Sequence, residues 1–561
     1  MKILVIGGYG TFGSRLVRLL ADDRRLTIIV AGRSFDKAAA CCAAMAGEAE
    51  FLPLAFDRNG DVEAQLTQLK PDLIVDASGP FQAYGDDPYR VVKAALALDA
   101  DYLDLADGAE FVGGIRQFDA AARERGVFIL SGASSYPALT TAVVRLLAKD
   151  MASIDSITGG IAPSPNPHAI GPTVIRAIAE YAGKPVTLIR DGRQVTARAL
   201  TETRRHTIAP PGQLPLESRR FSLVDVPDLH VLPSLWPEVR SVWMGAGPVP
   251  ASLHRAFNAF AWLVRLRLLP SLAPFAGWFY RIYSRLNWGE ARGGMFISVA
   301  GSARSGEPVE RAWHLVADGD DGPFIPSMAA AAIVRRCLDG RRPAAGARSP
   351  ARDLELEDYE PFFDRRAIAH GVRETSRDVA QHPLYRRILG EAWDSLPPQL
   401  QAMHGFAERQ AAEGIGTVER GTGVLARIIA AVFRFPGAGR DVPVRVEFTR
   451  HEGSETWTRS FAGHSFSSVH SAGAGKFDRL VVERFGPFRI GLALVVRNDR
   501  LWLVPRRWSF LGLPLPSSLV PVGDSFEFAE NGRFHFHVEI GHRLTGPIVR
   551  FRGWLKPLER L

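Results

Sequence analysis

The sequence predicts an α/β protein: a doubly wound parallel sheet, then an α+β domain, then a separate C-terminal α+β domain with an antiparallel sheet. Three observations support this fold class. Strands and helices alternate over residues 1–145, whereas shorter runs separated by turns begin near residue 150. Residues 534–540 alternate strictly between apolar and polar side chains, which is typical of an antiparallel strand with one buried face.

The first strand, at residues 3–6, ends in a glycine-rich turn that leads into an amphipathic helix at residues 14–20. Glycines allow the backbone to approach a pyrophosphate closely enough for the free N–H groups of the helix to bind it. A glycine-rich turn that binds no nucleotide is the alternative. We predict a Rossmann-type domain whose dinucleotide contacts Gly7, Gly8, Gly10, Thr11, Phe12 and Gly13.

The second strand indicates which dinucleotide is bound. An NAD site normally places an acidic residue about twenty residues beyond the last glycine, where it binds the ribose 2′-hydroxyl. This chain has Arg33 and Ser34 at that place. Because a cation and a hydroxyl suit a 2′-phosphate, we predict that the cofactor is NADP and that both residues bind it.

Four further strands are predicted at residues 50–56, 72–77, 101–105 and 127–130, with helices at 88–98 and 118–125 between them. In a doubly wound sheet the ligand lies beyond the carboxyl ends of the strands. That rule adds Asp57, Ser78, Gly79 and Pro80 to the predicted cofactor site, and it brings the loop at 132–136 to the same edge.

The rest of the chain divides by composition. We predict an α+β domain at residues 146–319, with a strand at 154–161, a helix at 173–181 and paired strands at 295–300 and 312–317. A helix follows at 326–338. A polar linker is expected at 374–384 and a C-terminal domain at 385–561, which begins with helices at 384–400 and 424–433.

Residues 252–285 form the most apolar stretch and mix aromatic side chains with five arginines. Pro270, Pro274 and the charges at Arg265 and Arg267 interrupt it, so no run is long enough to span a membrane. Two interpretations stay open: a helical pair buried in a substrate pocket or dimer interface, and a surface that contacts lipid headgroups peripherally.

Composition limits the function classes. The 561 residues carry a net charge of +8, which is mild for this length, and no nucleic-acid-binding motif or dense cationic run is present. We therefore expect a small-molecule substrate and no nucleic-acid partner. Three cysteines without metal-binding spacing favour a reducing compartment. We expect the protein to lie in the cytoplasm. If residues 252–285 contact lipid, the expected location is peripheral at the inner membrane.

The segments VIGGYGTFG, AGRS, LIVDASGPFQAYG and YLDLADG together resemble the saccharopine dehydrogenase-like NADP-binding family. GPFIPSMAAAAIVRRCLDGR followed by LEDYEPFF is similar to the end of the same module, and the C-terminal part is similar to domain of unknown function 4166. The resemblance implies NADP(H)-linked hydride transfer. It also implies that 146–319 is a substrate and dimerisation domain, giving a possible homodimer, and that 320–373 returns to complete the cofactor domain.

Two departures from that family bear on the substrate. The segment 252–285 is unlike a pocket for a small dicarboxylic amino acid, and lysine-pathway enzymes lack the additional C-terminal domain. We therefore expect a larger or more apolar substrate. The alternative function is a membrane- or lipid-associated nucleotide-binding protein without turnover.

Hydride transfer also requires a proton donor near the nicotinamide. Three candidates follow loops at the predicted cofactor cleft: Tyr84, Tyr136 and His168. Each has an alternative, since tyrosines at such loops often only pack against the ring. Asp104 and Asp107 end a strand at the same cleft, and we favour helix capping over substrate binding for them.

One strand face carries His535, His537 and Glu539, which could share a metal ion. No further ligands lie at short spacing in that domain. A solvated sheet face or the polar lining of a small cavity is the favoured interpretation, and we predict no metal site.

Overall fold

The computed structural model describes residues 1–81, 84–165, 172–285 and 289–558. The chain forms two compact units, each assembled from two segments of sequence. The first unit comprises Met1–His206 and Arg219–Ala369, and the second comprises Thr207–Ser218 and His370–Leu561. The chain therefore leaves the first unit briefly at residues 207–218 before it returns.

The N-terminal part of the first unit alternates strands and helices, as the sequence predicts. Its strands are nearly continuous aliphatic runs, and Ile3, Leu4 and Val5 are completely buried, as expected for a parallel sheet covered on both faces. The elements are β1 (Lys2–Ile6), α1 (Gly13–Leu20), β2 (Thr27–Gly32), α2 (Phe35–Ala43), β3 (Glu50–Ala55), α3 (Val62–Leu69), β4 (Leu73–Asp76), α4 (Arg90–Ala97), β5 (Asp101–Asp104), α5 (Ala109–Gly114), α6 (Asp119–Glu124), β6 (Phe128–Leu130) and α7 (Thr140–Ala148).

The strands of this sheet run parallel in the order β6-β5-β4-β1-β2-β3. The chain moves from β1 outward to β3 on one side, and then crosses to β4 and continues outward on the other. The strand order therefore reverses between β1 and β4, and ligands of doubly wound sheets bind in the crevice at this point. The predicted parallel, doubly wound sheet is confirmed.

The second part of the first unit builds a mixed sheet in the order β10-β11-β12-β7-β13-β14, in which only the β7–β12 pair is parallel. The predicted pairing of the strands near 295–300 and 312–317 is confirmed as the β13–β14 hairpin. The elements are β7 (Met151–Ala162), α8 (Pro172–Tyr181), β8 (Pro185–Arg190), β9 (Arg193–Arg198), β10 (Thr203–His206), β11 (Arg219–Leu223), α9 (Asp228–Leu235), β12 (Ser241–Ala246), α10 (Ala251–Arg265), α11 (Ala276–Arg285), β13 (Gly293–Ala303) and β14 (Pro308–Ala317).

The chain then returns to the cofactor sheet. Helix α12 (Ile325–Leu338) packs on α1, where Ser327 Oγ donates to Phe12 O at 2.9 Å and Arg335 Nη2 donates to Leu19 O at 2.8 Å. Strand β15 (Gly346–Arg348) pairs in parallel with β6 and makes the sheet seven-stranded. Helix α13 (Glu360–Phe363) follows, and the chain passes into the second unit within β16 (Ile368–Thr375).

The apolar segment 252–285 forms the helical pair α10 and α11. Phe279 of α11 packs edge-on against Phe257 of α10, with ring centroids 4.7 Å apart. Other large side chains stay exposed, among them Trp262 (41%) and Trp278 (53%). Among the residues whose positions are described, no helix is long and apolar enough to cross a membrane. Burial in an interface and lipid contact both remain predictions.

Helix α10 is anchored by a buried histidine, and this contact makes stability depend on pH. Asn258 donates to Ser222 Oγ at 2.7 Å, and Ser222 Oγ lies 2.7 Å from His254 Nε2. Burial, with a smaller contribution from Arg220, lowers the pKa of His254 to about 4. The unfolded chain takes up this proton near pH 6.5. We therefore expect His254 to cost about 2 kcal/mol of unfolding free energy between pH 7 and pH 5.

Urea unfolding of the wild type and of His254→Gln at both pH values measures this effect. The loss on acidification should be smaller in His254→Gln. His230→Gln alters an exposed histidine of the same unit and is the matched control. Equal pH dependence of His254→Gln and the wild type would contradict the prediction.

The second unit holds four helices and eleven strands among its described residues. The elements are α14 (Arg377–Gln381), α15 (Leu384–Leu389), α16 (Pro398–His404), β17 (Arg409–Arg420), α17 (Val424–Val432), β18 (Gly439–His451), β19 (Ser454–Phe461), β20 (His464–Ala472), β21 (Val481–Phe485), β22 (Phe488–Arg497), β23 (Arg500–Phe510), β24 (Leu513–Pro514), β25 (Ser525–Glu530), β26 (Arg533–His542) and β27 (Gly546–Pro557).

The predicted antiparallel sheet is confirmed, and it closes on itself. Ten strands follow in the order β22-β21-β20-β19-β18-β17-β27-β26-β25-β23, and β22 also pairs with β23, so the first and last strands are joined. The short β24 pairs with β23 outside this ring. The alternation predicted at 534–540 places Phe534 and Phe536 on the inner face, where they line an internal cavity.

Two intervals differ from the sequence prediction. The interval 374–384, predicted to be a linker, contains the end of β16 and all of α14, and Leu384 at its end is buried. The helix predicted at 384–400 is two short helices, because Gly390, at φ +60°, ends α15 and Pro397 and Pro398 then precede and open α16. The predicted boundary between residues 145 and 146 falls inside α7.

Candidate functional site

The glycine turn after β1 brings two strand ends into close contact. Gly7 has φ +76°, and a Cβ there would lie 2.8 Å from Ala77 O and from Ser78 Cα at the end of β4. A Cβ on Gly13 would lie well under 3.0 Å from Gly7 O. A side chain at Gly7 would therefore collide with the backbone that follows β4, and one at Gly13 would move α1 away from the glycine turn. The N-terminus of α1 faces this turn, where a helix can bind an anion, although the N–H of Ser14 already donates to Gly10 O at 3.1 Å.

A cavity of about 430 Å³ lies at the point where the strand order reverses. Ten of the residues that the sequence predicts for the cofactor or for proton transfer line it: Gly7, Gly10, Thr11, Phe12, Arg33, Asp57, Ser78, Gly79, Pro80 and Tyr84. The close approach of the backbone at Gly7 and Gly13 fits the pyrophosphate of a dinucleotide.

Three predicted cofactor residues lie outside the cavity lining. The N–H of Gly8 donates to Ala31 O at 3.0 Å, and Gly13 provides the close approach of α1. Ser34 Oγ accepts from Lys37 N at 3.4 Å and caps α2. These residues shape the turn and the neighbouring helix, and a direct contact of Ser34 with the cofactor stays a prediction.

Sequence reasoning missed three polar residues of the cavity: Tyr9, Arg58 and Asn59. The Arg58 guanidinium lies 3.1 Å from the centroid of the Tyr84 ring. A signal was available, since Arg58 and Asn59 directly follow Asp57 at the predicted end of the third strand. The cavity thus has two cations, Arg33 and Arg58, at the ends of neighbouring strands.

Tyr84 is tied to a buried carboxylate below the cavity. Asp76 Oδ1 accepts from Ser78 N at 2.9 Å and from Ser78 Oγ at 2.6 Å, and the Tyr84 hydroxyl lies 3.2 Å from both Asp76 carboxylate oxygens. Burial and the Asp76 charge raise the pKa of Tyr84 well above its usual value. The Tyr84 hydroxyl therefore stays protonated and donates a hydrogen bond to Asp76, which fixes the loop that follows β4.

Asp104 has a structural role different from the helix capping that the sequence favours. Its Oδ1 accepts from Gly132 N at 2.8 Å, from Ala106 N at 3.0 Å and from Ser131 Oγ at 3.0 Å, so it joins two loops at the carboxyl edge. The N-cap residue of α5 is Gly108, which has no side chain to cap it. Burial raises the pKa of Asp104 to about 7. Asp107, in contrast, lines the cavity.

The three candidate proton donors are not brought together. Tyr136 is buried, and its hydroxyl lies 3.4 Å from Gly245 O of β12, outside the cavity lining. Burial raises the pKa of Tyr136 well above its usual value. His168 lies outside the described residues. Tyr84 is the predicted donor that the structure places at the cavity.

The strand face with His535, His537 and Glu539, for which a metal ion is the less favoured interpretation, makes other contacts. His535 stacks on Phe528 and His537 stacks on Phe526, while Arg550 Nη2 donates to Glu539 Oε2 at 2.7 Å. Across the described part of the chain, no three His, Cys, Asp or Glu side chains are grouped to bind a metal ion.

Comparison with known proteins gives two family matches. Residues 3–130 match the saccharopine dehydrogenase NADP binding domain, and residues 396–555 match a domain of unknown function, DUF4166. No curated protein matches the chain.

Solved structures similar to this chain include saccharopine dehydrogenase (L-Glu forming) from Saccharomyces cerevisiae, at 13% identity and a TM-score of 0.48, covering 67% of this chain and all of that one. A 3-ketoreductase from Actinomadura kijaniata in complex with NADP is similar at 15% identity and a TM-score of 0.28, covering 61% and 91%. The family match at the glycine turn agrees with the geometry of the cavity. The chain therefore combines a match to the saccharopine dehydrogenase NADP binding domain, at residues 3–130, with a match to DUF4166, at residues 396–555.

Proposed function

We propose that the protein is an NADP(H)-dependent oxidoreductase whose substrate is larger or more apolar than a dicarboxylic amino acid. The observation that carries the cofactor choice is Arg33, an exposed cation that lines the cavity at the end of β2. A carboxylate at this place would favour a ribose 2′-hydroxyl, whereas a guanidinium favours a 2′-phosphate.

Different residues of the cavity would bind different parts of the cofactor. The glycine turn and the N-terminus of α1 would bind the pyrophosphate, and Arg33 the 2′-phosphate. Ser78, Gly79 and Pro80, which line the same cavity at the end of β4, would lie near the nicotinamide half. The bound nicotinamide supplies the hydride chemistry, so that the protein has to orient it and move one proton.

Two features support an apolar substrate. Val174 and Ala177 of α8 are apolar residues of the cavity lining. The first unit also contains the helical pair α10 and α11, whose side chains Trp262 and Trp278 are exposed. A small dicarboxylate would instead call for cations on these walls.

Titration of the protein with NADPH and NADH, followed by calorimetry, tests the cofactor proposal. We expect saturable binding of both, with NADPH tighter. A preference for NADH, or the absence of binding by either cofactor, would overturn the proposal.

A nucleotide-binding protein without turnover is the second candidate. It is favoured because both tyrosines among the candidate proton donors already donate hydrogen bonds within the protein. Tyr84 donates to Asp76, and Tyr136 donates to Gly245 O. Flotation with liposomes and an NADPH oxidation assay on acyl and imine substrates separate the two. Strong flotation without any oxidation would favour this candidate, and substrate-dependent oxidation would exclude it.

A further inference from the structure

The closed sheet of the second unit encloses a cavity of about 520 Å³. This volume lies within the range of about 300–1000 Å³ that small-molecule sites occupy. The lining is dominated by aromatic and aliphatic side chains, including Phe433, Phe435, Phe466, Phe485 and Phe551. An interior of this kind favours hydrocarbon over water, because water there would lack polar partners.

The charged side chains of the lining are paired within the protein, among them Glu539, whose Oε2 accepts from Arg550 Nη2 at 2.7 Å. Glu483 Oε1 lies 3.2 Å from His470 Nε2 and 3.6 Å from Arg459 Nη2. Although burial opposes ionisation, His470 and Arg459 lower the pKa of Glu483 to about 2. His404 Nε2 lies 2.6 Å from Glu527 Oε2. These charges are compensated within the protein, so the ligand that fits the remaining lining is apolar.

The cavity opens to solvent through an apolar rim. Leu425, Val522 and Leu544 line the cavity and are nevertheless 56%, 43% and 73% exposed. Exposed aliphatic side chains at the mouth of an apolar cavity are typical of the entrance to a site for an apolar ligand.

Helix α17 lies at this mouth and is apolar on two faces. Leu425, Ile429 and Phe433, spaced four residues apart, line the cavity. Val424, Ile428 and Val432 have the same spacing, and they are 72%, 54% and 72% exposed. A helix whose second apolar face is exposed to solvent is typical of segments that contact an amphiphile or a lipid surface.

The segment that contains α17 is positively charged, although Asp441 directly follows it. Residues 421–440 contain Arg427, Arg434 and Arg440 and no acidic residue, and all three arginines are exposed. Cations beside an apolar mouth favour an anionic head group, which they would hold at the surface while the hydrocarbon lies inside.

We propose that the DUF4166 unit binds the long aliphatic chain of an anionic amphiphile. The hydrocarbon occupies the cavity of the closed sheet, and the head group lies at the mouth beside the arginines of 421–440. A free fatty acid and an anionic membrane phospholipid share this chemistry. The site is separate from the nucleotide cavity and does not depend on the proposed redox activity.

Fluorescence titration of the full chain with cis-parinaric acid tests the site. We expect saturable binding at one site per chain, with displacement by oleate. Leu544→Glu and Leu425→Glu place a carboxylate in the mouth and should weaken binding at least about tenfold, because the charge would have to be desolvated or repel the head group. Both residues are exposed, so the variants should fold as the wild type does, which circular dichroism checks.

Leu511→Glu is the matched control. Leu511 is 72% exposed, like Leu544, but it does not line the cavity. We expect this variant to bind cis-parinaric acid as the wild type does. Absence of saturable binding in the wild type, or an equal loss in Leu511→Glu and Leu544→Glu, would overturn the proposal.

A second measurement distinguishes the sources of the ligand. Uptake of a fluorescent phospholipid from vesicles of equimolar phosphatidylcholine and phosphatidylglycerol should fall in Val424→Ser and Ile428→Ser, whereas binding of cis-parinaric acid from solution should not. This result would support a membrane lipid as the ligand. Binding from solution without any uptake from vesicles would support a free fatty acid.

Discussion

Replacing Arg33 with alanine is expected to weaken NADPH binding by about 1.5–3 kcal/mol, or roughly 10- to 150-fold, because a charge-assisted hydrogen bond to the 2′-phosphate is lost. Arg33 follows β2 and lines the nucleotide cavity. NADH has no phosphate at this position, so its affinity should stay unchanged. Calorimetric titration of the variant with both cofactors measures the two affinities.

Two further variants sharpen this test. Arg33→Lys keeps the charge but loses the planar pair of donors, so its NADPH affinity should be intermediate. Arg24→Ala removes an exposed arginine that does not line the cavity, and both affinities should match the wild type. A parallel loss of NADPH and NADH affinity in Arg33→Ala would mean that Arg33 does not recognise the 2′-phosphate.

The cofactor half of the fold was predictable from the sequence because its determinants are local. Aliphatic runs separated by helices specify parallel strands, and Gly7 and Gly13 specify the turn that joins β1 to α1. Strand β15 was not predictable in the same way. It has three residues and pairs with β6, more than 200 positions earlier, so nothing in its own sequence selects that partner.

The candidate site was predictable in its backbone and less so in its side chains. Loop positions at the carboxyl edge follow from topology, and this rule found Asp57, Ser78 and Tyr84. It does not say what each side chain binds. The hydroxyl of Tyr84 binds Asp76, and the carboxylate of Asp104 binds loop amides, because buried polar groups must find partners close by.

The closed sheet of the second unit also lay beyond sequence reasoning. Alternation identifies individual strands such as β26, whereas closure depends on the pairing of β22 with β23 and on the total number of strands. The cavity exists only once the ring is closed. Its lining side chains come from strands spread over more than 100 residues, so their shared interior face leaves no compact motif.

Gly13→Ala is expected to destabilise the first unit by about 2 kcal/mol and to abolish high-affinity binding of both cofactors. Alanine would gain about 1 kcal/mol from its higher helix propensity. Its Cβ, however, would lie well under 3.0 Å from Gly7 O, a backbone atom that cannot turn aside, and overpacking of this kind costs more than the gain. Urea unfolding and NADPH titration measure the two effects.

A glycine-to-alanine substitution at an open position separates the effect of the close contact from the effect of the new residue itself. Gly113 lies in α5 of the same unit, and a Cβ there would have no heavy atom within 4 Å. Gly113→Ala should therefore keep or slightly raise the unfolding free energy and leave NADPH binding unchanged. If Gly13→Ala behaved like Gly113→Ala, the close packing of α1 on the glycine turn could not be what positions the helix N-terminus for the pyrophosphate. If Gly13→Ala folded stably but bound neither cofactor, the turn would act on the cofactor directly rather than through the stability of the sheet.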